Sequence, residues 1–574
     1  MTGADRRDPR ILLRNAVAHA PLDFMSWLLL AEAELDEGDA HAGLAAAQRA
    51  LLLRAAHPEA LARMGRAQWM LGRHTESAAS LRAAAAGAPQ HPGIALWLGH
   101  ALEDAGEAEA AAAAYQHAHR LLPDEPVFCA HLLNWRRKLC DWRDLETLSM
   151  QVRRAVNAGS AVVEPFAFLS EDASAAEQLV CARLRATQIA RAIPPMPQAP
   201  VHQHTRLRLG FLSNGFGAHP TGLLTVAFME AMSSIDSVET HLFASSADDA
   251  SPIRQRLREA SHAFHEVAGM AHGSIANLVR GAGMDVLYDL RGWGGGGMPE
   301  VLARRPAPLQ VNWLAYPGTS GAPWIDYVLA DRYVLPESMQ DCFSEAVAWL
   351  PGCFQPSDTR REVAEVGNRA RCGLPDAATV FACFNNSYKI NPLSFQRMVA
   401  VLNGVTGSVL WLLSGPGRSD QRLRQAAQDA GLDPARLVFT AKRPHADYLS
   451  LYRHVDLFLD TNPYNAHTTA SDALWAGCPV LTRPGQTFAS RVAASLNHHL
   501  GLEEMIVDSD QAFVAGAIDL GNSPSQLAAL RERLVQMRGQ SSLFDMPAFA
   551  RGFVLTAQRM VARQRQGLPP QSGV

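Results

Sequence analysis

Residues 455–477 run Val455-Asp456-Leu457-Phe458-Leu459-Asp460-Thr461-Asn462-Pro463-Tyr464-Asn465-Ala466-His467-Thr468-Thr469-Ala470-Ser471-Asp472-Ala473-Leu474-Trp475-Ala476-Gly477. The opening apolar run reads as a buried strand. An acidic turn and a polar loop follow, and His467-Thr468-Thr469 opens a helix. The first turn of a helix carries unpaired N–H groups and positive partial charge, so these amides and two hydroxyls suit a phosphate oxygen. Asp472 lies one turn further on, where a carboxylate can take a ribose diol. A Thr-Thr pair alone is no more than a helix cap. The whole strand–loop–helix string instead points to the diphosphate and ribose of a nucleotide.

The same alternation of short apolar strands and amphipathic helices extends outward from this stretch and implies open parallel α/β sheets. In the half containing the quoted stretch, strands are expected at 379–384, 408–413, 436–439, 455–460 and 480–482. In the preceding half they are expected at 207–213, 239–244, 284–290, 309–314 and 327–330. Leu350-Pro351-Gly352-Cys353-Phe354-Gln355-Pro356-Ser357 punctuates the join. Doubly wound halves bind ligands at the carboxyl ends of their strands, so a cleft between the halves is the expected site.

Toward the amino terminus the pattern changes. Gly38, Gly72 and Gly106 recur 34 residues apart, as do Ala50, Ala84, Ala118 and Pro58, Pro92, Pro126. That period belongs to helix–turn–helix solenoids of the tetratricopeptide kind, and three residue types in triplicate outweigh a plain alanine-rich bundle. The glycines belong in turns within helix pairs, the alanines where helices approach, and the prolines between repeats. Residues 128–142 read as a further, degenerate helix. A helical connector leads to Ile193-Pro194-Pro195-Met196-Pro197-Gln198-Ala199-Pro200, whose prolines mark a boundary. The expected organisation is a repeat region at 1–135, a connector at 136–204, one catalytic lobe at 205–355 and a nucleotide-binding lobe with a closing helix at 356–574.

With 574 residues, 48% of them hydrophobic and 19% charged, the chain has the make-up of a multidomain globular protein. A formal charge of −4 leaves no basic field for nucleic acid. The eight cysteines contain no CxxC pair, which argues against a zinc site or disulfide framework and suits a reducing compartment. Met1-Thr2-Gly3-Ala4-Asp5-Arg6-Arg7 leads into no apolar core, so neither a signal peptide nor a membrane span is expected, and the location expected is cytoplasmic.

Several further loops leave expected strands. Asn214-Gly215-Phe216-Gly217-Ala218-His219-Pro220-Thr221 is a poor dinucleotide fingerprint, because Pro220 stands at the third glycine position. His219 within it faces the expected cleft with a side chain suited to proton transfer, although loop histidines are commonly structural. Gly292-Trp293-Gly294-Gly295-Gly296-Gly297 lacks a Gly-Lys-Ser/Thr ending and reads as a flexible turn. Leu314-Ala315-Tyr316-Pro317-Gly318-Thr319-Ser320-Gly321 could line a sugar pocket or be a tight turn. In Phe384-Asn385-Asn386-Ser387-Tyr388-Lys389-Ile390, Lys389 can neutralise a leaving diphosphate and Asn386 can donate to it; the plain reading is a surface lysine. Lys442-Arg443-Pro444-His445 offers backbone groups to a base edge. His498-His499 has no spaced ligand partner, and Asp508-Ser509-Asp510 reads as a helix cap.

Taken together these strings resemble the bacterial O-GlcNAc transferases, in which tetratricopeptide repeats precede a two-lobed glycosyltransferase of the GT-B fold with two Rossmann-like domains. The resemblance rests on Leu139-Cys140-Asp141-Trp142, Gly217-Ala218-His219-Pro220-Thr221, Arg305-Pro306-Ala307-Pro308, Tyr316-Pro317-Gly318-Thr319-Ser320-Gly321 and Tyr388-Lys389-Ile390. Ser408-Val409-Leu410-Trp411-Leu412-Leu413, His467-Thr468-Thr469 and Phe488-Ala489-Ser490-Arg491-Val492-Ala493-Ala494-Ser495 add to it. It implies inverting transfer of N-acetylglucosamine from UDP-GlcNAc to Ser or Thr hydroxyls of proteins, with no metal and no other cofactor. By the same resemblance Asn386 and Lys389 meet the diphosphate, and His467, Thr468 and Thr469 bind phosphate. Asp472 takes the ribose, and the backbone of Arg443 and His445 meets uracil. Leu314, Ala315 and Tyr388 border the sugar, and His219 is the family's proposed base. Protein or peptide acceptors would lie in the repeat groove. Where animal members carry Lys, His and Arg beyond the uracil loop, this chain has His445, Tyr448 and Leu451, and it lacks their long insertion between the lobes. Three other readings fit the same residues: a UDP-glucose protein transferase, a small-molecule glycosyltransferase, and a nucleotide-binding repeat adaptor without turnover.

Overall fold

The computed structural model describes residues 8–200, 204–365 and 367–573; the amino-terminal segment discussed above lies outside them. The chain divides into two compact units. One ends at Val152 and takes in Gly415–Ser419. It contains the helix pairs Phe24–Asp36 with Ala40–Leu53, Pro58–Met70 with His74–Gly87, and Pro92–Asp104 with Ala108–Leu121, followed by Pro126–Lys138. Pro58, Pro92 and Pro126 each begin a helix, where the missing N–H has no intrahelical acceptor to lose. Gly38, Gly72 and Gly106 take φ of 86°, 73° and 78° in the turns within the pairs, a region costly for any side chain. Ala50, Ala84 and Ala118 are fully buried. At Gly99 a Cβ would stand 2.4 Å from Tyr115 Cε1, so the paired helices are closer than alanine allows.

The other unit holds two wholly parallel sheets. The first contains β1 (Leu207–Ser213), β2 (Val238–Ala244), β3 (Ala263–Glu266), β4 (Val286–Asp289), β5 (Leu309–Asn312), β6 (Tyr327–Ala330) and β7 (Ala346–Trp349), in the order β3-β2-β1-β4-β5-β6-β7. The second contains β8 (Val380–Cys383), β9 (Val409–Leu413), β10 (Leu437–Thr440), β11 (Leu457–Leu459) and β12 (Val480–Leu481), in the order β10-β9-β8-β11-β12. The fold class is therefore an α-helical repeat followed by a two-lobed α/β unit. Sequence periodicity missed β3 and β7, the two edges of the first sheet. β3 is only half-buried along its length, so its Ala-Phe-His-Glu shows no apolar run.

The closing helix Met546–Arg565 follows the second sheet in sequence but packs on the first. Phe553 lies 4.9 Å from Phe228, 4.9 Å from Tyr288 and 4.8 Å from Trp313, ring centre to ring centre. Arg565 donates to Asp285 at 3.1 Å just before β4. Among the described residues no helix is long and apolar enough to cross a membrane.

Each sheet reverses its strand order once, between β1 and β4 in the first and between β8 and β11 in the second. The loops leaving adjacent strands diverge at such a point and open a crevice at their carboxyl ends. Both candidate clusters sit there.

Candidate active site

At the second switch point the loop after β8 carries Asn385 to Lys389, and the loop after β11 carries Asp460 to His467. Lys389 ends the short turn Ser387–Lys389 and points inward, with its residue only 7% exposed. Its Nζ donates to the Asn465 carbonyl at 2.7 Å and stands 3.8 Å from the centre of the Tyr464 ring. It forms no ion pair with a described carboxylate. Burial pushes its pKa down to about 7, against the pull of Asp460. Asp460 is buried too, and burial raises it to about 6 although Thr461 N, Ala466 N and Thr482 Oγ1 all donate to it at 2.7 Å. A buried charge is costly without a partner, so this pocket is built to gain from an incoming anion.

The helix Thr468–Trp475 begins beside that ammonium. Its first amides have no intrahelical acceptor, and the Thr468 and Thr469 side chains are half-buried. His467, the residue before the helix, donates from Nε2 to the Ala489 carbonyl at 3.0 Å. Burial first, then Lys389, holds its pKa well below the ordinary range, so the imidazole is neutral. One turn on, Asp472 is buried and accepts on Oδ1 from Arg361 Nη1 at 2.7 Å and from His445 Nε2 at 3.2 Å. Nearby, the Tyr448 hydroxyl lies 2.5 Å from that of Tyr452, which donates to the Thr469 carbonyl at 3.3 Å. The structure thus brings Lys389, His467, Thr468, Thr469, Asp472 and His445 to one place. Asn386 is exposed at the rim, and the exposed Arg443 is joined to the cluster only through the chain.

The first switch point gathers His219 after β1 and Arg291 after β4. His219 Nδ1 accepts from Thr221 N at 3.2 Å and so caps the helix Pro220–Met232. Its Nε2 lies 3.5 Å from Arg291 Nη1. Burial and that guanidinium lower its pKa to about 4. Both ring nitrogens therefore face donors, Nδ1 the Thr221 amide and Nε2 the Arg291 guanidinium, and the neutral ring accepts at one of them and carries its proton on the other. Asp249 accepts from Ala218 N at 2.7 Å and holds the same loop. A Cβ on Gly217 would stand 2.3 Å from Asp249 Oδ2, so Gly217 serves loop packing.

The glycine run differs from the flexible turn expected of it. Arg291 Nη2 and Asn214 Nδ2 both donate to the Gly295 carbonyl, at 2.5 and 3.2 Å, and a Cβ on Gly296 would overlap Asn214. Leu314 is buried with a φ of 89°, a strained value for a leucine. Its loop is pinned by the buried Glu345, which accepts from Ser320 N and Thr319 Oγ1 at 2.6 Å each. Ala315 is half-buried beside it. Tyr388 joins Tyr316, Tyr464, Leu169 and Ala489 in an apolar cluster drawn from both lobes and the helical connector.

Arg291, Asp460, Tyr464 and Arg361 escaped the sequence reading. Asp460 and Tyr464 lay within the quoted stretch without a role, and Arg361 sits in an irregular connection with no pattern to mark it. One reading needs correction. Distance along the chain hid the partners of His499, yet Asp331, Cys353 and His499 offer ligand atoms within 4.8 Å of one another. Asp331 Oδ1 accepts from Tyr333 N and Val334 N, and Oδ2 from Phe354 N and Ser495 Oγ, so its oxygens are already occupied in tying the lobes together. Asp508-Ser509-Asp510 is a cap: Ser509 accepts from Ala512 N at 3.2 Å, and Asp510 pairs with Arg397 at 2.7 Å.

A family model described as glycosyl transferase family 41 matches residues 176–365 and 357–553. The probable UDP-N-acetylglucosamine–peptide N-acetylglucosaminyltransferase SEC of Arabidopsis thaliana is 33% identical over 373 residues, 64% of this chain and 38% of that protein. The UDP-N-acetylglucosamine–peptide N-acetylglucosaminyltransferase of Caenorhabditis elegans is 26% identical over 482 residues, 64% of this chain and 42% of that protein. The chain thus spans about two fifths of the length of these two relatives. A mutant of the Thermobaculum terrenum O-GlcNAc transferase superposes with a TM-score of 0.68 at 26% identity, over 95% of this chain and 98% of that one.

Proposed function

The chain belongs to glycosyl transferase family 41, and on that premise we propose that it transfers N-acetylglucosamine from UDP-GlcNAc to Ser or Thr hydroxyls of proteins, with inversion and without a metal. The observation that carries this reading is Lys389: a buried ammonium beside the start of the helix Thr468–Trp475, its hydrogen bond going to a neutral carbonyl. An acceptor oxygen attacks the anomeric carbon from one face while the bond to UDP breaks on the other. The electron pair leaves with the diphosphate. Lys389, the Thr468 and Thr469 hydroxyls and the helix amides stabilise that charge, the role a metal takes elsewhere. Asn386 donates at the rim. Asp472 takes the ribose, the backbone at Arg443 and His445 takes uracil, and Leu314, Ala315 and Tyr388 border the sugar.

His219 acts in this reading by orienting the sugar or acceptor through its neutral imidazole. A base with a pKa near 4 gives little drive for taking a proton from an alcohol. The attacking hydroxyl instead loses its proton to solvent late, once the new C–O bond has made it acidic. Acceptor segments are held by the repeats, and the protein works in the cytoplasm without nucleic acid or membrane partners.

The test is a donor panel, UDP-GlcNAc and UDP-glucose, with Ser/Thr peptides and a chelator present, read by product mass and anomeric configuration. Peptide carrying a β-linked N-acetylhexosamine is expected. A hexose product would move the reading to a UDP-glucose transferase, and UDP binding without turnover would make the protein a repeat adaptor.

A further inference from the structure

Arg361 lies on neither strand nor helix, yet its side chain is only 1% exposed. Nη1 donates to Asp472 Oδ1 at 2.7 Å. Nη2 donates to Ser471 Oγ at 3.0 Å and to Ser357 Oγ. Taking a guanidinium out of water is costly, and a buried ion pair often does no more than offset that cost. Stability alone is a poor reason for this cation to be here.

The pattern of bonds on Asp472 suggests another reason. Arg361 and His445 both donate to Oδ1. Oδ2 receives no bond from a described residue. A carboxylate gripped at one oxygen cannot swing freely about its terminal torsion, so the other oxygen is presented in a set direction. Asp472 follows Thr468 and Thr469 by about one helical turn, so a nucleotide with its diphosphate at the helix start lays its ribose alongside. The chain just before Arg361 is anchored to the first lobe. Asp358 accepts from Arg256 of the first-lobe helix Pro252–Ala260 at 3.0 and 3.1 Å, and Arg360 pairs with Glu230.

We propose that Arg361 is a positioning residue of the donor site, clamping one oxygen of Asp472 so that the other receives the ribose diol of a uridine nucleotide. The inference rests on the donor-site reading above and adds to it a cation from the interlobe connection. On the facing helix His445–Leu451, only His445 reaches this carboxylate.

The test compares the full-length protein's dissociation constants for UDP and 2′,3′-dideoxy-UDP by calorimetry. Wild type should prefer UDP by about tenfold, the worth of hydrogen bonds to a charged group. In Arg361→Gln the preference should collapse toward unity while the dideoxy ligand binds within about twofold of its wild-type constant, since the lost bonds are those of the diol. Arg361→Lys, which keeps the charge but not the fork, should fall between. Equal loss of both ligands in a folded variant, or an undiminished preference, would overturn the proposal. If Arg361→Gln does not fold, Arg361→Lys decides: a reduced preference supports the role and a wild-type preference removes it. Wild type that binds both ligands alike sinks this inference and the ribose role of Asp472, and leaves the diphosphate site standing. Wild type that binds neither sinks the donor-site reading with it.

Discussion

The two lobes place their candidate chemistry by the same topological device and then treat it differently. In each, the strand order reverses once, and the loops flanking the reversal hold the charged groups. At the second reversal Lys389, Asp460 and His467 are all driven toward their neutral forms by burial. At the first, His219 is neutral as well, but its Nδ1 is engaged as a helix cap beside a half-buried arginine. Topology brings groups together; burial and prior hydrogen bonds decide what each can do. The deeper pocket is suited to accept an anion's charge, and the shallower one to orient a hydroxyl.

The sharpest way to break this contrast is Lys389→Ala. Turnover of UDP-GlcNAc should fall by about 10²–10³-fold, the range for losing a preorganised donor to a developing anion. Near-wild-type initial rates would end the proposed asymmetry between the lobes.

A second measurement uses pH. Lys389 in the empty site loses its proton near pH 7 because burial disfavours the ammonium. A bound diphosphate favours it again, so above pH 7 binding must take up a proton. UDP affinity should then weaken with rising pH by up to about tenfold per unit, and Lys389 should contribute no slope below pH 7. Calorimetry in buffers of different ionisation enthalpy counts the proton, and Lys389→Met should abolish the uptake.

His219→Asn sharpens the other side. The amide keeps a cap acceptor, so the loop should hold and turnover should drop by only about tenfold, below the 10²–10⁴ of a lost general base. The pH profile of kcat/KM between 5 and 8 should not change, because the group titrates near 4. An inflection near pH 6–7 that vanishes in the variant would restore the base. The smallest effect on turnover should come from the repeats. Gly99→Ala forces a Cβ to within 2.4 Å of Tyr115 and should cost about 2 kcal/mol of stability, read by denaturant melting, with UDP affinity unchanged.

Much of this was legible in the chain itself. The 34-residue period marks the repeats, because each unit must meet the same packing demands at Gly99 and Tyr115 as at Gly65 and Leu81. The expected strands of the central sheets appear because a strand buried on both faces leaves a continuous apolar run, as Val-Leu-Trp-Leu-Leu does in β9. The half-buried edge strand β3 left no such mark. Within the site, Lys389 and His467 through Asp472 were found because they sit where strands end and helices start. Arg361 was not, since an irregular connection has no periodicity to betray a buried cation.

The order of residues alone determined the repeat, the two alternating lobes and the loops that could meet a nucleotide, because those features are written in local periods and local turn chemistry. Only tertiary structure decided that Asp472 is gripped at one oxygen by Arg361, that His219 has Nδ1 committed, that Arg291 stands against it, and that the closing helix returns to the first sheet. Burial and hydrogen-bond partnership depend on residues distant in the chain, and they set which groups carry charge.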